Sequence, residues 1–149
     1  MKTTVKVPVR WSDLDAYRHV NNAAIVQLME EARIALFWHN GTSDDEAMVA
    51  SSAARDLASF VVHQEIEYVA PLAYPRGPLP ITMWISHLGS SSIEVCYEIP
   101  TLEGGTAVRA TTTVVMVDIE TLKPRRLRED ERANLEHLLD EPLELRRRR

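Results

Sequence analysis

Hydrophobic positions recur every second residue at the amino end. From Thr4 to Trp11, valines alternate with Lys6, Pro8 and Arg10, the period of a strand with one buried face. The period then changes. Ile25, Leu28, Met29, Ala32, Ala35 and Leu36 recur at steps of three and four among good helix formers, which predicts a helix from near Asn22 to about His39. Asn40-Gly41 supplies its C-cap signal. Asp44 to about Ala54, with Thr42 or Ser43 as cap and acidic residues in its first turns, reads as a second helical piece covering the core.

From Leu57 onward the alternation returns. Val62, Ile66 and Tyr68 alternate with His63, Glu65 and Glu67; Ile81, Met83 and Ile85 alternate with Thr82, Trp84 and Ser86; Ile93, Val95, Tyr97 and Ile99 alternate with Glu94, Cys96 and Glu98. A last long strand, rich in threonine and valine, runs from about Ala107 to Asp118. Between these stretches lie the prolines and glycine of Pro71 to Pro80, the short link Gly89 to Ser92, and a hairpin turn at Glu103-Gly104-Gly105. Links this short make antiparallel neighbours. Glu129 to Leu139 has helical spacing at the end of the chain. One strand, one long helix and a run of antiparallel strands predict an α+β domain over residues 1–140 whose sheet covers an apolar helix, followed by a charged tail over residues 141–149.

Charge narrows the function classes. At 149 residues, 45% hydrophobic, the chain suits one globular core, and a net charge of -5 speaks against a general nucleic-acid binder. The run Arg146 to Arg149 reads as a solvated, frayed terminus. A lone cysteine, Cys96, permits neither an internal disulfide framework nor a multi-cysteine metal site. No stretch approaches the length of a spanning helix or the apolar core of a signal peptide, so the expected compartment is the cytoplasm, with no membrane and no nucleic acid as partner.

Candidate chemistry gathers in the polar stretch Trp11 to Asn22, between the first strand and the amino end of the longest helix. Several groups there can serve as acid, base or nucleophile, and the unpaired N–H groups of a helix start can polarise a carbonyl. The same residue types are also ordinary turn and capping residues, and His19 reads equally as a structural histidine. No nucleophile elbow, P-loop, dinucleotide glycine pattern or zinc signature is present.

The run Arg10-Trp11-Ser12-Asp13-Leu14-Asp15, followed by His19-Val20-Asn21-Asn22 and by Glu30-Glu31-Ala32-Arg33, resembles the 4-hydroxybenzoyl-CoA thioesterase branch of the hotdog superfamily. The resemblance implies a hotdog fold, an antiparallel sheet of five or more strands wrapped around one long central helix. It also implies homodimers or homotetramers with sites at the dimer interface, and acyl-CoA hydrolysis with neither cofactor nor metal.

Asp15 stands at the family's catalytic carboxylate, as nucleophile or general base, and the N–H near Asn22 at the position that polarises the thioester carbonyl. His19 and Asn21 match the H-V-N-N motif, ordering the loop or assisting a water, and Asp13 braces it. Glu31 and Arg33 fit an interface or intrahelical ion pair. Two departures stand out: Arg18 where the family often has glycine, and Ile25 where an aromatic is frequent.

For the substrate, Tyr17, Arg76, Ser91, Arg125 and Arg126 are the binding candidates, with Lys123, Ser90 and Ser92 as weaker ones. Trp38, Phe37 and Phe60 are candidates for an acyl or aryl pocket, though such aromatics equally make plain core. Cys96 is expected to be inert. A non-catalytic acyl-CoA-binding protein and an acyl-carrier-protein thioesterase are the competing readings.

Overall fold

The computed structural model describes residues 1–37 and 57–146. Five strands form one antiparallel sheet: β1 (Thr3–Val7), β2 (Leu57–Tyr68), β3 (Leu79–Leu88), β4 (Ser92–Pro100) and β5 (Thr106–Asp118), in the order β1-β3-β4-β5-β2. The helix α1 (Asn22–Phe37) lies across its inner face, and a short helix α2 (Glu129–Glu136) follows the last strand. This is the hotdog arrangement. Asn40-Gly41, Trp38 and the helical piece expected over 44–54 lie outside the described residues.

The first strand ends at Val7, earlier than its alternation suggests. Pro8 has no N–H to donate to a ladder, and after it the chain turns into a single 3-10 turn, Trp11–Asp13. In β2 the register shifts between Val61, opposite Val114, and His63, opposite Thr113, so Val62 is a bulge residue and not part of the row that Gln64, Ile66 and Tyr68 continue. That row faces α1, level with Thr112, Ala110 and Val108 of β5.

The core forms where the two layers meet. Ile25, Leu28, Met29, Ala32, Leu36 and Phe37 of α1 are buried against Met83, Ile85, Val95, Tyr97, Ile99, Val108 and Ala110 of the sheet. Five of those helix side chains are large, and at about 1.5 to 3 kcal/mol each their burial is worth on the order of 10 kcal/mol, an upper estimate. Arg33 is buried on the same helix. Its Nη1 donates to the Tyr97 hydroxyl at 3.0 Å, while Gln64 Nε2 donates to the Thr112 hydroxyl at 3.0 Å on the same inner face.

The outer face is covered from the other end of the chain. Ile85 N–H donates to Leu138 O and Asp140 N–H to Ile85 O, each at 2.9 Å, and the Trp84 indole donates to Glu141 O at 2.7 Å. The charged tail follows this face as far as Arg146, whose N–H donates to the Glu67 carboxylate at 2.9 Å. Cys96 is buried on this side, and burial pushes its thiol pKa up, which keeps it protonated and unreactive.

Replacing Tyr97 with phenylalanine leaves a buried guanidinium without that hydroxyl. The expected cost is about 1 to 3 kcal/mol, read as a lowered urea midpoint with an unchanged slope.

Candidate active site

Between the 3-10 turn and α1 the chain doubles back in a tight hairpin, and each tie has a polar partner. Asp13 is buried, accepting from the Arg10 N–H at 2.8 Å and from the Arg10 guanidinium at 3.0 Å, while its own carbonyl accepts from Asn21 N–H at 2.8 Å. The side-chain hydrogen bond from Arg10, with a further one from the Arg10 backbone, holds the Asp13 carboxyl below the usual carboxylate range. Asp13 is therefore the brace of the loop.

Asp15 closes the tip. Its N–H donates to His19 O at 2.8 Å and its carbonyl accepts from Arg18 N–H at 3.1 Å. Its Oδ1 accepts from the N–H groups of Tyr17 at 2.8 Å and His19 at 3.1 Å. Both bonds fall on one oxygen. Among the described residues none occupies Oδ2, and the side chain is only half-buried. The carboxylate is thus oriented by its own loop with one oxygen open to a reactant.

The turn has a backbone consequence. Arg18 adopts φ 61°, the left-handed region. That is a conformation glycine takes without cost and other residues at about 1 to 2 kcal/mol. The position where the resemblance leads one to expect glycine is therefore one where the turn itself asks for it, and Arg18 completes the same turn under strain.

The hairpin is docked on the segment before β3. Val20, buried, donates its N–H to Leu72 O at 2.8 Å, and His19 pairs with Ala73. Directly after it, Asn21 caps α1: its carboxamide oxygen accepts from Ala23 N–H at 2.8 Å and its carbonyl from Ile25 N–H at 3.0 Å. The cap leaves the N–H of Asn22, on the exposed first turn, without an acceptor among the described residues. Asp15, His19, Asn21 and Asn22 are thereby brought together at one end of the sheet.

Tyr17, exposed at the hairpin tip, and Arg76, exposed on the segment that follows Ala73, lie at this same end. Ser91, Arg125 and Arg126 do not. The Ser91 carbonyl accepts from Met116 N–H, and Arg125 N–H donates to Met116 O. Since Ser92 stands opposite Val115, seven residues along β5 from the Tyr68 partner Val108, they lie about 23 Å away along the strand. Arg125 is further committed to the buried Glu131 at 2.7 Å. Burial works to raise the Glu131 pKa, but the hydrogen bonds from Arg125 and Arg128 and their charges outweigh it and hold the carboxyl low.

Three features escaped sequence reasoning. Trp11 and Tyr74 form an edge-to-face pair with ring centroids 5.6 Å apart beside the hairpin, although 63 positions separate them along the chain. Tyr68, at the end of β2, donates its hydroxyl to Asn22 O at 3.1 Å. A cleft of about 430 Å³ lined by Pro8, Arg10, Asp13, Gln27, Leu28 and Glu31 separates the amino-terminal arm from α1. A larger cavity of about 580 Å³ lies beneath the tail on the outer face, among Glu65, Glu94 and Glu144, away from this chemistry. A run of residues that alternates carries no sign of which partner waits across the fold.

Residues 9–135 match the model of the thioesterase-like superfamily. The chain is 33% identical over 141 residues to the long-chain acyl-CoA thioesterase FadM of Escherichia coli, covering 93% of this chain and 99% of that protein. A Thermus thermophilus thioesterase solved with coenzyme A and zinc is 28% identical, with a TM-score of 0.69 over 94% of this chain and 96% of that one. A predicted thioesterase from Bacillus stearothermophilus, 20% identical, superposes with a TM-score of 0.75 over 95% of this chain and 99% of its own, a likeness of fold.

Two measurements follow from the loop. Arg18→Gly relieves the left-handed residue, and the expected result is a rise in stability of up to about 1 kcal/mol in chemical denaturation. A carboxyl with a depressed folded-state pKa stabilises the fold above its unfolded pKa and loses that contribution as pH falls through the folded one. Asp13→Asn removes the term, so the stability gap between wild type and variant is expected to be full near pH 7 and to shrink below about pH 4, read by thermal melts across that range.

Proposed function

The chain belongs to the thioesterase-like superfamily and is a thioester hydrolase, and on that premise we propose that it hydrolyses acyl-CoA thioesters with the Asp15 carboxylate as the reacting group. The observation that carries this is the open Oδ2 of a carboxylate whose Oδ1 is held by two backbone N–H groups. A residue that merely closed a turn would need only the oxygen already used.

The thioester carbonyl is placed against the N–H of Asn22, where the positive end of the α1 dipole favours a developing oxyanion. Asp15 then either attacks the carbonyl carbon, giving an acyl-enzyme anhydride and CoA thiolate, or takes a proton from a water that attacks it. In the first route water then cleaves the anhydride and restores the Asp15 carboxylate; in both, the acyl group is released as the acid and the proton that water gives up passes to the CoA thiolate. His19 orients Asp15 through its N–H. The full-length similarity to a long-chain acyl-CoA thioesterase and the neighbour solved with coenzyme A support acyl-CoA as the substrate class.

The β2 edge supports a homodimer. Phe60, Val61, Val62 and Tyr68 are each between 46% and 59% exposed along a strand paired on one side only. An unpaired edge that exposes these apolar side chains calls for a covering strand. Two copies related by a two-fold axis normal to the sheet pair these edges antiparallel. That sets the Ser91, Arg125 and Arg126 end of one sheet beside the Tyr68 end of the other, which reunites the substrate-binding candidates that one protomer keeps apart. Arg126, exposed, is the freer cation for the CoA phosphates there. The setting proposed is cytoplasmic; no helix among the described residues is long and apolar enough to cross a membrane.

Release of CoA thiol from a panel of acyl-CoAs is expected for the wild type and to fall by at least about a thousandfold in Asp15→Asn, with melting temperature and gel-filtration volume unchanged. Acyl-CoA bound without turnover by either form would replace hydrolysis with a binding role.

A further inference from the structure

The first turn of α1 is poorly held by packing. Asn22 and Ala23 are exposed, and the first buried helix residue is Ala24. Helix ends that lack packing fray, and a frayed end does not keep an N–H aimed at a reacting oxygen. Two polar contacts act on this turn. One is the Asn21 cap described above. The other comes from outside the helix: the Tyr68 hydroxyl, which donates to Asn22 O at 3.1 Å and is, among the described residues, the one hydrogen bond from β2 to α1.

The Asn22 carbonyl also receives the helical bond from the residue four positions on, so both of its lone pairs are engaged. Two donors on one oxygen fix the peptide that joins Asn22 to Ala23; the Asn22 N–H belongs to the preceding peptide, whose Asn21 carbonyl is held by the Ile25 N–H, so the Tyr68 bond acts on that N–H through the shared Asn22 Cα. Tyr68 in turn is placed by the sheet: it is the last residue of β2, opposite Val108, in the row that faces the helix. The chain of placement runs from ladder to ring to hydroxyl to helix start.

We propose that Tyr68 is a positioning residue of the hydrolysis, fixing the amino end of α1 so that the Asn22 N–H meets the thioester oxygen. The proposal rests on the Asp15 and Asn22 reading above. It adds a residue that acts on the site through the helix start and links the edge strand β2 to a donor on α1. Burial pushes the Tyr68 pKa up, so the hydroxyl remains a neutral donor across the working range.

The test is Tyr68→Phe in the full chain, assayed with saturating and limiting acyl-CoA beside wild type and Asp15→Asn. Loss of a donor that serves only the transition-state geometry lowers kcat by about fivefold to tenfold at unchanged KM. Melting temperature and dimer state stay as in wild type, and the deficit is constant from about pH 6 to 9. Wild-type kcat in Tyr68→Phe with an inactive Asp15→Asn overturns the role of Tyr68 alone. A deficit that varies with pH also overturns it, by making the hydroxyl a proton donor, and so does a fall in kcat that tracks lost stability or lost dimer. Full activity in Asp15→Asn removes the underlying reading, and the Tyr68 role with it.

Discussion

Everything at the site depends on how α1 seats on the inner face of the sheet. The burial of Ile25, Leu28, Met29, Leu36 and Phe37 is worth on the order of 10 kcal/mol, against about 1 kcal/mol for a typical hydrogen bond in the hairpin. The hydrophobic term therefore decides where the helix lies, and the polar contacts decide only how its first turn is finished. Because the hairpin runs directly into that turn and is docked on Leu72 and Ala73, its position is inherited from the core.

Within the hairpin, two aspartates two residues apart are given different work by their surroundings. Asp13 is buried and saturated, with both oxygens on Arg10 and its carbonyl on Asn21. Asp15 is half-buried and keeps one oxygen open. The saturated one stiffens the loop that presents the other. Arg18 accepts a left-handed backbone in the same turn, so part of the loop's geometry is retained at the expense of local strain.

The two ends of the sheet are chemically unlike. One gathers the hairpin, the helix start and Tyr68; the other gathers the Arg125–Glu131 pair and the turn at Ser91. The edge strand β2, with Phe60, Val61 and Val62 exposed, runs between them. In the homodimer proposed above, a two-fold axis at that edge would set opposite ends of neighbouring sheets side by side.

The sequence by itself determined the element types, the long helix beginning at Asn22, and the polar stretch that holds the candidate site, because these follow from local periodicity, capping and turn chemistry. It also separated Asp15 from Asp13 through a resemblance, not through any difference in their composition. Tertiary structure alone decided the rest. The end of β1 at Val7, the bulge at Val62, the inward turn of Arg33 to Tyr97, the covering of Trp84 and Cys96 by the tail, and the reach of Tyr68 to Asn22 each depend on a partner far along the chain. So does the distance of Ser91 and Arg125 from the hairpin. Periodicity records which face of an element is apolar; which residues meet across the fold is set by register and by the seating of one layer on another.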